Sequence, residues 1–290
     1  MKTFIILTSS VEYLANFFLK KAGNLKIIFP SPNQNGKRYF PDGEVYIKIP
    51  ATNKFKKSRI IVLHSGAPKP NEGLMELELI LQILSDCRIK PEVFFTYFPY
   101  GMQDEIFKKG ETNAAENLIK KLVNYYKVRK IYAIDPHFGG RKWVKKYPLV
   151  SISAVPLLIK RVKEDFSGNI LFLSPDKGGQ RRTKISGLRK ERRNSFSVKI
   201  LSPKINLKRK TVAVVDDIIK TGGTLLKFHE FAKKEGAKKI IALATHGVIP
   251  SGVSKIRKKY SKLYLTNTIE QKEANIDITN LILNAIRNCN

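Results

Sequence analysis

The sequence has 290 residues, of which 42% are hydrophobic, and no apolar run approaches the ~20 residues of a membrane helix. It is long enough for one or two α/β domains, and its two cysteines, Cys87 and Cys289, are too few for a disulfide framework or a zinc site. These features predict a soluble, cytoplasmic protein with no membrane partner. The formal net charge of +30 is compatible with three explanations. They are binding to nucleic acid, binding of polyanionic small substrates, and a lysine-rich surface like those of some heat-adapted proteins. No zinc-finger, RRM or helix-turn-helix pattern is present, so we expect no specific nucleic-acid binding.

The first half alternates apolar strands with amphipathic helices, a pattern typical of parallel sheets with crossover helices. In Tyr39–Ile49, apolar and polar residues alternate after a Pro-Asp-Gly turn, which predicts a further strand. From this pattern alone, Phe40 is a core residue and Asp42 is a turn residue. Asn71 is a candidate helix cap. The other predicted strands are Thr3–Leu7, Leu25–Phe29, Ile60–Leu63, Val93–Phe98 and Lys130–Ile134, and the predicted helices are Val11–Lys21, Asn71–Leu84 and Thr112–Tyr125.

Polar side chains follow two of these strands. Gln103 and Asp104 come after Val93–Phe98, and His137 comes after Lys130–Ile134 with an acid beside it. Ligands of open α/β sheets bind at the carboxyl ends of the strands, so both loops are candidates for ligand contact. For His137 taken alone, a packed or surface role is equally compatible with the pattern.

The second half repeats the pattern, which predicts two domains, 1–146 and 147–290, each a mostly parallel sheet flanked by helices. A Ser-Pro-Asp-Lys-Gly-Gly turn follows the strand Ile170–Ser174. The basic segment Gly187–Phe196 is either a solvated loop or an arm that brings cations to phosphates. The other predicted strands are Leu149–Ile152, Lys239–Thr245 and Lys262–Thr266, and the predicted helices are Val155–Lys163, Leu226–Glu235 and a closing helix at 277–288.

The most informative stretch begins at Thr211 with an apolar strand. Two acids, Asp216 and Asp217, follow it directly, then Lys220 and a small-residue loop, with a helix predicted from about Leu225. Glycines let backbone N–H groups point at a phosphate, and the helix N-terminus adds partial positive charge. The carboxylates suit sugar hydroxyls or a metal that travels with the phosphate. The stretch is neither a Walker loop nor a dinucleotide motif, and fold physics alone does not separate ribose 5-phosphate from other sugar phosphates.

With these motifs in order, the chain from about Tyr39 to Ile269 resembles the ribose-phosphate pyrophosphokinase family. The resemblance implies two type I phosphoribosyltransferase-like domains in a homo-oligomer, at least a dimer, with the last helix packing back on the first domain. It implies Mg2+ as cofactor and ATP and ribose 5-phosphate as substrates. The implied products are 5-phosphoribosyl 1-diphosphate and AMP, which feed nucleotide biosynthesis.

The family's functional residues carry over onto matching positions of this sequence. The resemblance implies ATP contacts at Phe40, Asp42, Glu44, Gln103, Asp104 and His137, and metal contacts at His137 and Asp176. It implies a pyrophosphate turn at Asp176, Lys177, Gly178 and Gly179. It implies ribose 5-phosphate contacts at Asp216, Asp217, Lys220, Thr221, Gly222, Gly223 and Thr224, and catalytic cations at Lys190 and Arg192.

Three positions depart from the family pattern. Met102 stands where arginine is usual, Glu105 stands where arginine is frequent, and Lys220 replaces an acid or serine. The first two remove positive charge near the nucleotide. Two other functions compete with the synthase reading: a phosphoribosyltransferase that consumes the same product, and a regulatory or nucleic-acid-binding protein on the same fold. The motif at Phe40–Glu44 and the arm with Lys190 and Arg192 argue against the transferase.

Overall fold

The computed structural model describes residues 2–21, 23, 25–183, 185, 189–192, 198–201 and 206–288, with only the backbone described at 177, 189–192 and 198–201. Two compact units divide the chain. The first comprises Met1–Ile152 with Thr279–Asn290, and the second comprises Ser153–Ile278. In the part of the chain that the structure describes, every helix is too short or too polar to traverse a bilayer.

Twelve strands and eight α-helices make up the described fold. The strands are β1 (Thr3–Leu7), β2 (Leu25–Ile28), β3 (Arg59–Ser65), β4 (Glu92–Tyr97), β5 (Lys130–Ile134), β6 (Leu149–Ile152), β7 (Ile170–Leu173), β8 (Arg189–Arg192), β9 (Val198–Leu201), β10 (Thr211–Ile219), β11 (Lys239–Gly247) and β12 (Lys262–Leu265). The helices are α1 (Ala15–Lys21), α2 (Pro70–Asp86), α3 (Ala114–Asn124), α4 (Val155–Asp165), α5 (Lys177–Thr183), α6 (Gly223–Lys234), α7 (Pro250–Lys259) and α8 (Thr279–Asn288).

The first unit is built on a parallel six-stranded sheet in the order β2-β1-β3-β4-β5-β6. Strands β3 and β4 are buried along their whole length, which fits the apolar runs Ile60–Leu63 and Val93–Phe95 within them. Helix α2 adds Leu77, Ile80 and Leu84 to the same core. Helix α8 belongs to this unit, and Arg59 donates from Nη1 to the carbonyl of Ile286 at 2.7 Å, which ties the end of α8 to the start of β3.

Several elements of the first unit differ from the sequence prediction. Strand β6 pairs with β5, so the first unit extends past the predicted boundary at 146 to Ile152. Tyr39–Ile49 is not a strand, because its only pairings are the isolated bridges Ser31–Lys48 and Tyr39–Val45. Asn71 lies inside α2, because Pro70 already occupies the first turn and Lys69 precedes it as the N-cap.

The second unit is built on a parallel four-stranded sheet in the order β12-β11-β10-β7. Strand β10 is central, and the side chains of Val212, Val214 and Val215 are fully buried. One face packs against α6 and α7 and the other against α4. Strands β8 and β9 form a separate antiparallel pair. Strand β10 runs through Asp216 and Asp217 to Ile219, so the acids lie within the strand and not after it as the sequence predicted. The fold therefore places the acids near the carboxyl end of β10 and the small-residue loop directly after it.

Candidate active site

A tight loop joins β10 to α6 in the second unit. Lys220 and Thr221 are exposed, and Gly222 adopts φ +81°, a left-handed conformation that favours glycine. Helix α6 begins at Gly223, two residues before the predicted start, and Leu226 donates its backbone N–H to the carbonyl of Gly222 at 2.9 Å. The preceding N–H groups of the first turn have no intrahelical partner. They create a backbone cradle at 220–224 with positive partial charge, suited to an anion.

Helix α7 supports this cradle from behind. A Cβ on Gly252 would lie 1.7 Å from the carbonyl oxygen of Lys220, so only glycine allows this approach. Ile256 packs against Gly222, and Tyr260 donates from its hydroxyl to the carbonyl of Leu225 at 2.6 Å. Gly252, Ile256 and Tyr260 are spaced by four residues and thus share one helix face. No helix was predicted between the strands Lys239–Thr245 and Lys262–Thr266, so this support was not foreseen from the sequence.

Asp216 and Asp217 lie at the end of β10 with relative exposures of 5% and 2%. The backbone N–H of Asp217 donates to Oδ1 of Asp216 at 3.0 Å. Burial, followed by the neighbouring Asp217 carboxylate, raises the pKa of Asp216 well above its ordinary value. The two carboxylates are therefore brought together, as the sequence predicted, in a site where a further negative charge is costly.

Arg182 on α5 opposes that negative charge. Its Nε lies 2.8 Å from Oδ2 of Asp217, and its Nη2 lies 3.9 Å from Oδ1 of Asp216. A Cβ on Gly178 would approach Nη1 of Arg182 to 2.7 Å, so glycine at this position leaves room for the guanidinium group. Arg182 is not among the site residues predicted from the sequence. Its contact with the acids depends on packing between distant segments, for which the sequence carries no local signal.

The Asp-Lys-Gly-Gly turn is the start of α5. Asp176 accepts a hydrogen bond on Oδ1 from the backbone N–H of Gly179 at 2.8 Å and therefore caps the helix. A Cβ on Gly179 would lie 2.2 Å from Oγ of Ser174, so this glycine is needed for close packing. The side chain of Lys177 lies outside the described part of the chain. The turn is thus a rigid strand-to-helix corner in the same unit as the cradle.

In the first unit, the loop after β4 uses its acid for structure. Asp104 is 3% exposed and accepts two hydrogen bonds from Arg141, from Nε at 2.7 Å and from Nη2 at 3.1 Å. Arg141 also pairs with Glu105, and Trp143 donates to the carbonyl of Asp104 at 3.2 Å. Gln103 is exposed. Of the predicted Gln-Asp pair, the structure therefore presents the amide to solvent and locks the carboxylate in the loop.

The segment at Phe40–Glu44 is a tight turn in the same unit. Gly43 donates to the carbonyl of Phe40 at 3.0 Å, and Glu44 donates its backbone N–H to Oδ1 of Asp42 at 3.1 Å. Phe40 is 43% exposed, and its ring packs edge-on against Tyr46. A pocket of about 550 Å³ adjoins them, with further walls from Asn33, Gln34, Asn35, Lys37, Tyr39 and Pro41. The volume lies in the range of small-molecule sites.

His137 follows β5 and is half-buried. Asp135 before it has φ +34°, unusual for a residue other than glycine, and is 9% exposed. Among the residues that the structure describes, no group of three or more His, Cys, Asp or Glu side chains forms a metal cage. Lys190 and Arg192 have their backbone in β8, and their side chains lie outside the described part of the chain.

Known proteins resemble this chain in sequence and in structure. Residues 157–279 match the model of the phosphoribosyl transferase domain. A ribose-phosphate pyrophosphokinase of Pyrococcus furiosus is 34% identical over 278 residues, covering 91% of this chain and 96% of the relative. One of Pyrococcus abyssi is 32% identical over 256 residues, covering 84% and 87%. The crystal structure of phosphoribosylpyrophosphate synthetase from Mycobacterium smegmatis shares the fold, with a TM-score of 0.83 and 21% identity over 99% of this chain and 98% of that one.

Proposed function

This chain belongs to the ribose-phosphate pyrophosphokinase family, and we propose that it makes 5-phosphoribosyl 1-diphosphate and AMP from ribose 5-phosphate and MgATP. In this reaction the β,γ-diphosphoryl group of ATP is transferred to the 1-hydroxyl of the ribose. The observation that carries the proposal is the backbone cradle at 220–224 directly beside the buried carboxylates of Asp216 and Asp217. A phosphate site next to acceptors for hydroxyl groups matches the two ends of a pentose phosphate.

Ribose 5-phosphate binds, on this proposal, with its phosphate at the cradle. The N–H groups of Thr221, Gly222, Gly223 and Thr224 donate to the phosphate oxygens, and the Lys220 ammonium adds a nearby positive charge. The carboxylates of Asp216 and Asp217 accept hydrogen bonds from the ribose hydroxyls. Arg182 offsets part of their charge, so that two adjacent acids can remain in a buried site.

The nucleotide belongs, on the same proposal, to the carboxyl edge of the first unit. The exposed ring of Phe40 offers a face on which a base can stack, and the exposed carboxylates of Asp42 and Glu44 and the amide of Gln103 offer hydrogen bonds. Asp104 contributes through its pairing with Arg141, which holds the loop that carries Gln103. We therefore propose Asp104 as a residue that positions this loop.

We assign Mg2+ to the substrate complex MgATP. Magnesium keeps several waters and is usually held by one or two carboxylates together with substrate phosphates. His137 and Asp176 are the proposed protein contacts. Asp176 caps α5 through one carboxylate oxygen. Bound Mg2+ neutralises charge on the polyphosphate.

The chemical step requires in-line positioning and charge neutralisation, with no covalent enzyme intermediate. Lys190 and Arg192 are proposed to stabilise charge on the transferring group. Because losing one such donor costs about 3 kcal/mol of transition-state stabilisation, Lys190→Ala is expected to lower kcat on the order of a hundredfold with little change in thermal stability. Steady-state kinetics and a melting curve measure both. A variant with near-normal kcat would remove Lys190 from the chemistry.

Homo-oligomerisation, at least to a dimer, and a cytoplasmic location complete the proposal. The loop after β4 exposes Met102, Ile106 and Phe107, with relative exposures of 40%, 60% and 72%, an apolar surface that a second copy can cover. Sedimentation equilibrium tests this part: a monomer at micromolar concentration contradicts it.

The experiment that tests the proposed function is AMP formation from ATP and ribose 5-phosphate in the presence of Mg2+. Product is expected without any added nucleobase, and none is expected when EDTA removes the metal. A phosphoribosyltransferase would instead require a nucleobase and 5-phosphoribosyl 1-diphosphate, and would release no AMP from ATP. A nucleic-acid-binding protein on this fold would yield no product in either assay.

A further inference from the structure

The chain between β2 and β3 carries Phe40–Glu44 without being part of the sheet. Residues 30–48, which we call the connecting segment, contain two isolated bridges, Ser31–Lys48 and Tyr39–Val45. Both bridges join residues of the segment to each other. Near one end of the segment, Ile47 packs against the apolar core of the unit. The position of Phe40–Glu44 relative to the sheet therefore depends on side-chain contacts.

Arg38 joins the two sides of the connecting segment. Its Nη2 donates to the carbonyl of Pro30 at 3.0 Å, and its own carbonyl accepts a hydrogen bond from the backbone N–H of Tyr46 at 2.8 Å. The ring of Tyr46 in turn packs edge-on against that of Phe40, with 5.7 Å between the ring centroids. A displacement of Arg38 would therefore be transmitted to the ring on which the nucleotide base is proposed to stack.

The guanidinium group of Arg38 also lies between two carboxylates from other elements of the unit. Nη2 is 2.5 Å from Oε1 of Glu12 in the short 3-10 helix Ser9–Leu14, and Nη1 is 3.8 Å from Oε1 of Glu76 on α2. The Glu76 side chain is 4% exposed and that of Arg38 is 21% exposed. Charge-assisted contacts in such partly desolvated surroundings are stronger than those of exposed ion pairs. Arg38 therefore anchors the connecting segment to two separate elements.

Glu76 is held in place by contacts other than Arg38. Its Oε1 accepts a hydrogen bond from the backbone N–H of Ser9 at 2.9 Å, and its Oε2 accepts one from the Ser9 hydroxyl at 2.5 Å. Burial raises the pKa of Glu76, while the donors of Ser9 and the charge of Arg38 counteract part of this effect. Ser9 belongs to the chain that follows β1. Glu76 therefore gives Arg38 a fixed partner near the carboxyl end of the sheet.

We propose that Arg38 is a positioning residue for the nucleotide: its contacts with Glu12 and Glu76 hold the connecting segment so that Phe40 and the carboxylates beside it are in place before MgATP binds. The inference rests on the function proposed above, in which these side chains contact the nucleotide. A segment that is already ordered loses less conformational entropy on binding, so it raises affinity without touching the reacting atoms. Loss of the anchor should therefore weaken MgATP binding and leave the ribose 5-phosphate site unchanged.

The decisive variant is Arg38→Gln/Glu76→Gln in the full chain. Since both members of the pair become neutral, neither is left as a buried charge without its partner, and the protein should fold. The dissociation constant for MgATP, measured by titration calorimetry, should rise about tenfold, and KM for ATP should rise with it. KM for ribose 5-phosphate and kcat at saturating MgATP should change by less than about twofold.

The matched control is Glu78→Gln/Lys121→Gln, which neutralises an ion pair of 2.6 Å between α2 and α3 in the same unit. This control should leave both KM values unchanged. Arg38→Lys keeps a positive charge between the two carboxylates but lacks the forked guanidinium group. Its affinity for MgATP should therefore lie between those of the wild type and the Arg38→Gln/Glu76→Gln variant.

Hydrogen exchange of the connecting segment gives a readout that needs no catalysis. Without nucleotide, the backbone amides of residues 30–48 should exchange faster in the Arg38→Gln/Glu76→Gln variant than in the wild type, and the control should match the wild type. Wild-type binding of MgATP without AMP formation would contradict the proposed reaction alone, and absence of MgATP binding would overturn both proposals. An equal rise in both KM values, an unchanged affinity for MgATP, or unchanged exchange in residues 30–48 of the variant would overturn the positioning role.

Discussion

The two units present different kinds of site at the carboxyl edges of their sheets. In the second unit, backbone N–H groups at 220–224 form the anion cradle, and α7 fixes them through Gly252, Ile256 and Tyr260. In the first unit, the proposed nucleotide contacts Phe40, Asp42, Glu44 and Gln103 are exposed side chains on separate loops. The buried Asp104 beside Gln103 is paired with Arg141. The difference teaches that the proposed phosphate site is formed by backbone groups that the fold holds in place, whereas the proposed nucleotide site depends on exposed side chains.

The strongest test of this contrast is a pair of glycine substitutions. Gly252→Ala places a methyl group against the carbonyl of Lys220 and must displace the cradle, and a displacement of about 1 Å can cost a hundredfold in activity. We expect kcat/KM for ribose 5-phosphate to fall by at least about a hundredfold. Gly140→Ala in the first unit meets no atom within 4 Å and should change neither kinetics nor stability.

If Gly252→Ala does not fold, Tyr260→Phe still tests whether α7 positions the cradle. It removes only the hydrogen bond to Leu225, so the protein should fold and show a raised KM for ribose 5-phosphate with an unchanged KM for ATP. An equal rise in both KM values would mean that α7 does not position the cradle specifically.

Removal of the Arg141 side chain tests the structural role assigned to Asp104. Arg141→Ala leaves a buried carboxylate without its partner, and we expect the free energy of unfolding to fall by about 2 kcal/mol. The expected loss of stability is smaller than for a fully buried ion pair, because the Arg141 side chain is 37% exposed. Urea denaturation measures it, with Lys69→Ala, from an exposed pair with Glu72, as a control that should leave the midpoint unchanged. An Arg141→Ala midpoint equal to that of the control would contradict the assignment.

Asp216→Asn should separate stability from function in the second unit. Burial raises the pKa of Asp216 in the folded protein. The contribution of this carboxyl group to the free energy of unfolding is therefore fully present below its ordinary pKa near 4, and it is lost as pH rises through the raised pKa. The asparagine variant carries no such penalty. It should be more stable than wild type at pH 8, with the advantage vanishing near pH 4, while activity is lost. A pH-independent difference in thermal or urea stability would contradict this origin.

Much of the second unit's site was predictable, because its signals are local. Apolar residues from Val212 to Val215, two acids and paired glycines specify strand, carboxylates and cradle within fifteen residues of sequence, and the structure places them together. Arg182 and Gly252 were not predictable, since each acts through a contact with a segment remote in sequence. The prediction of a parallel α/β fold was confirmed, because apolar strands and amphipathic helices carry their pattern locally.

The first unit was harder to interpret from its sequence. Alternation at Tyr39–Ile49 predicted a strand, but alternation specifies one only where a neighbouring strand is available for pairing, and here the pairing is limited to isolated bridges. The partner of Asp104 lies 37 residues away, at Arg141, so a motif that looks like a ligand contact is also a structural ion pair. Side-chain roles of this kind depend on tertiary packing and cannot be read from spacing.

The most direct test of the account is a crystal structure of the protein with ribose 5-phosphate. The 5-phosphate should lie within hydrogen-bonding distance of the backbone nitrogens of Thr221 to Thr224, and the ribose hydroxyls should contact Asp216 and Asp217. An empty cradle with the sugar phosphate bound elsewhere would contradict the central claim.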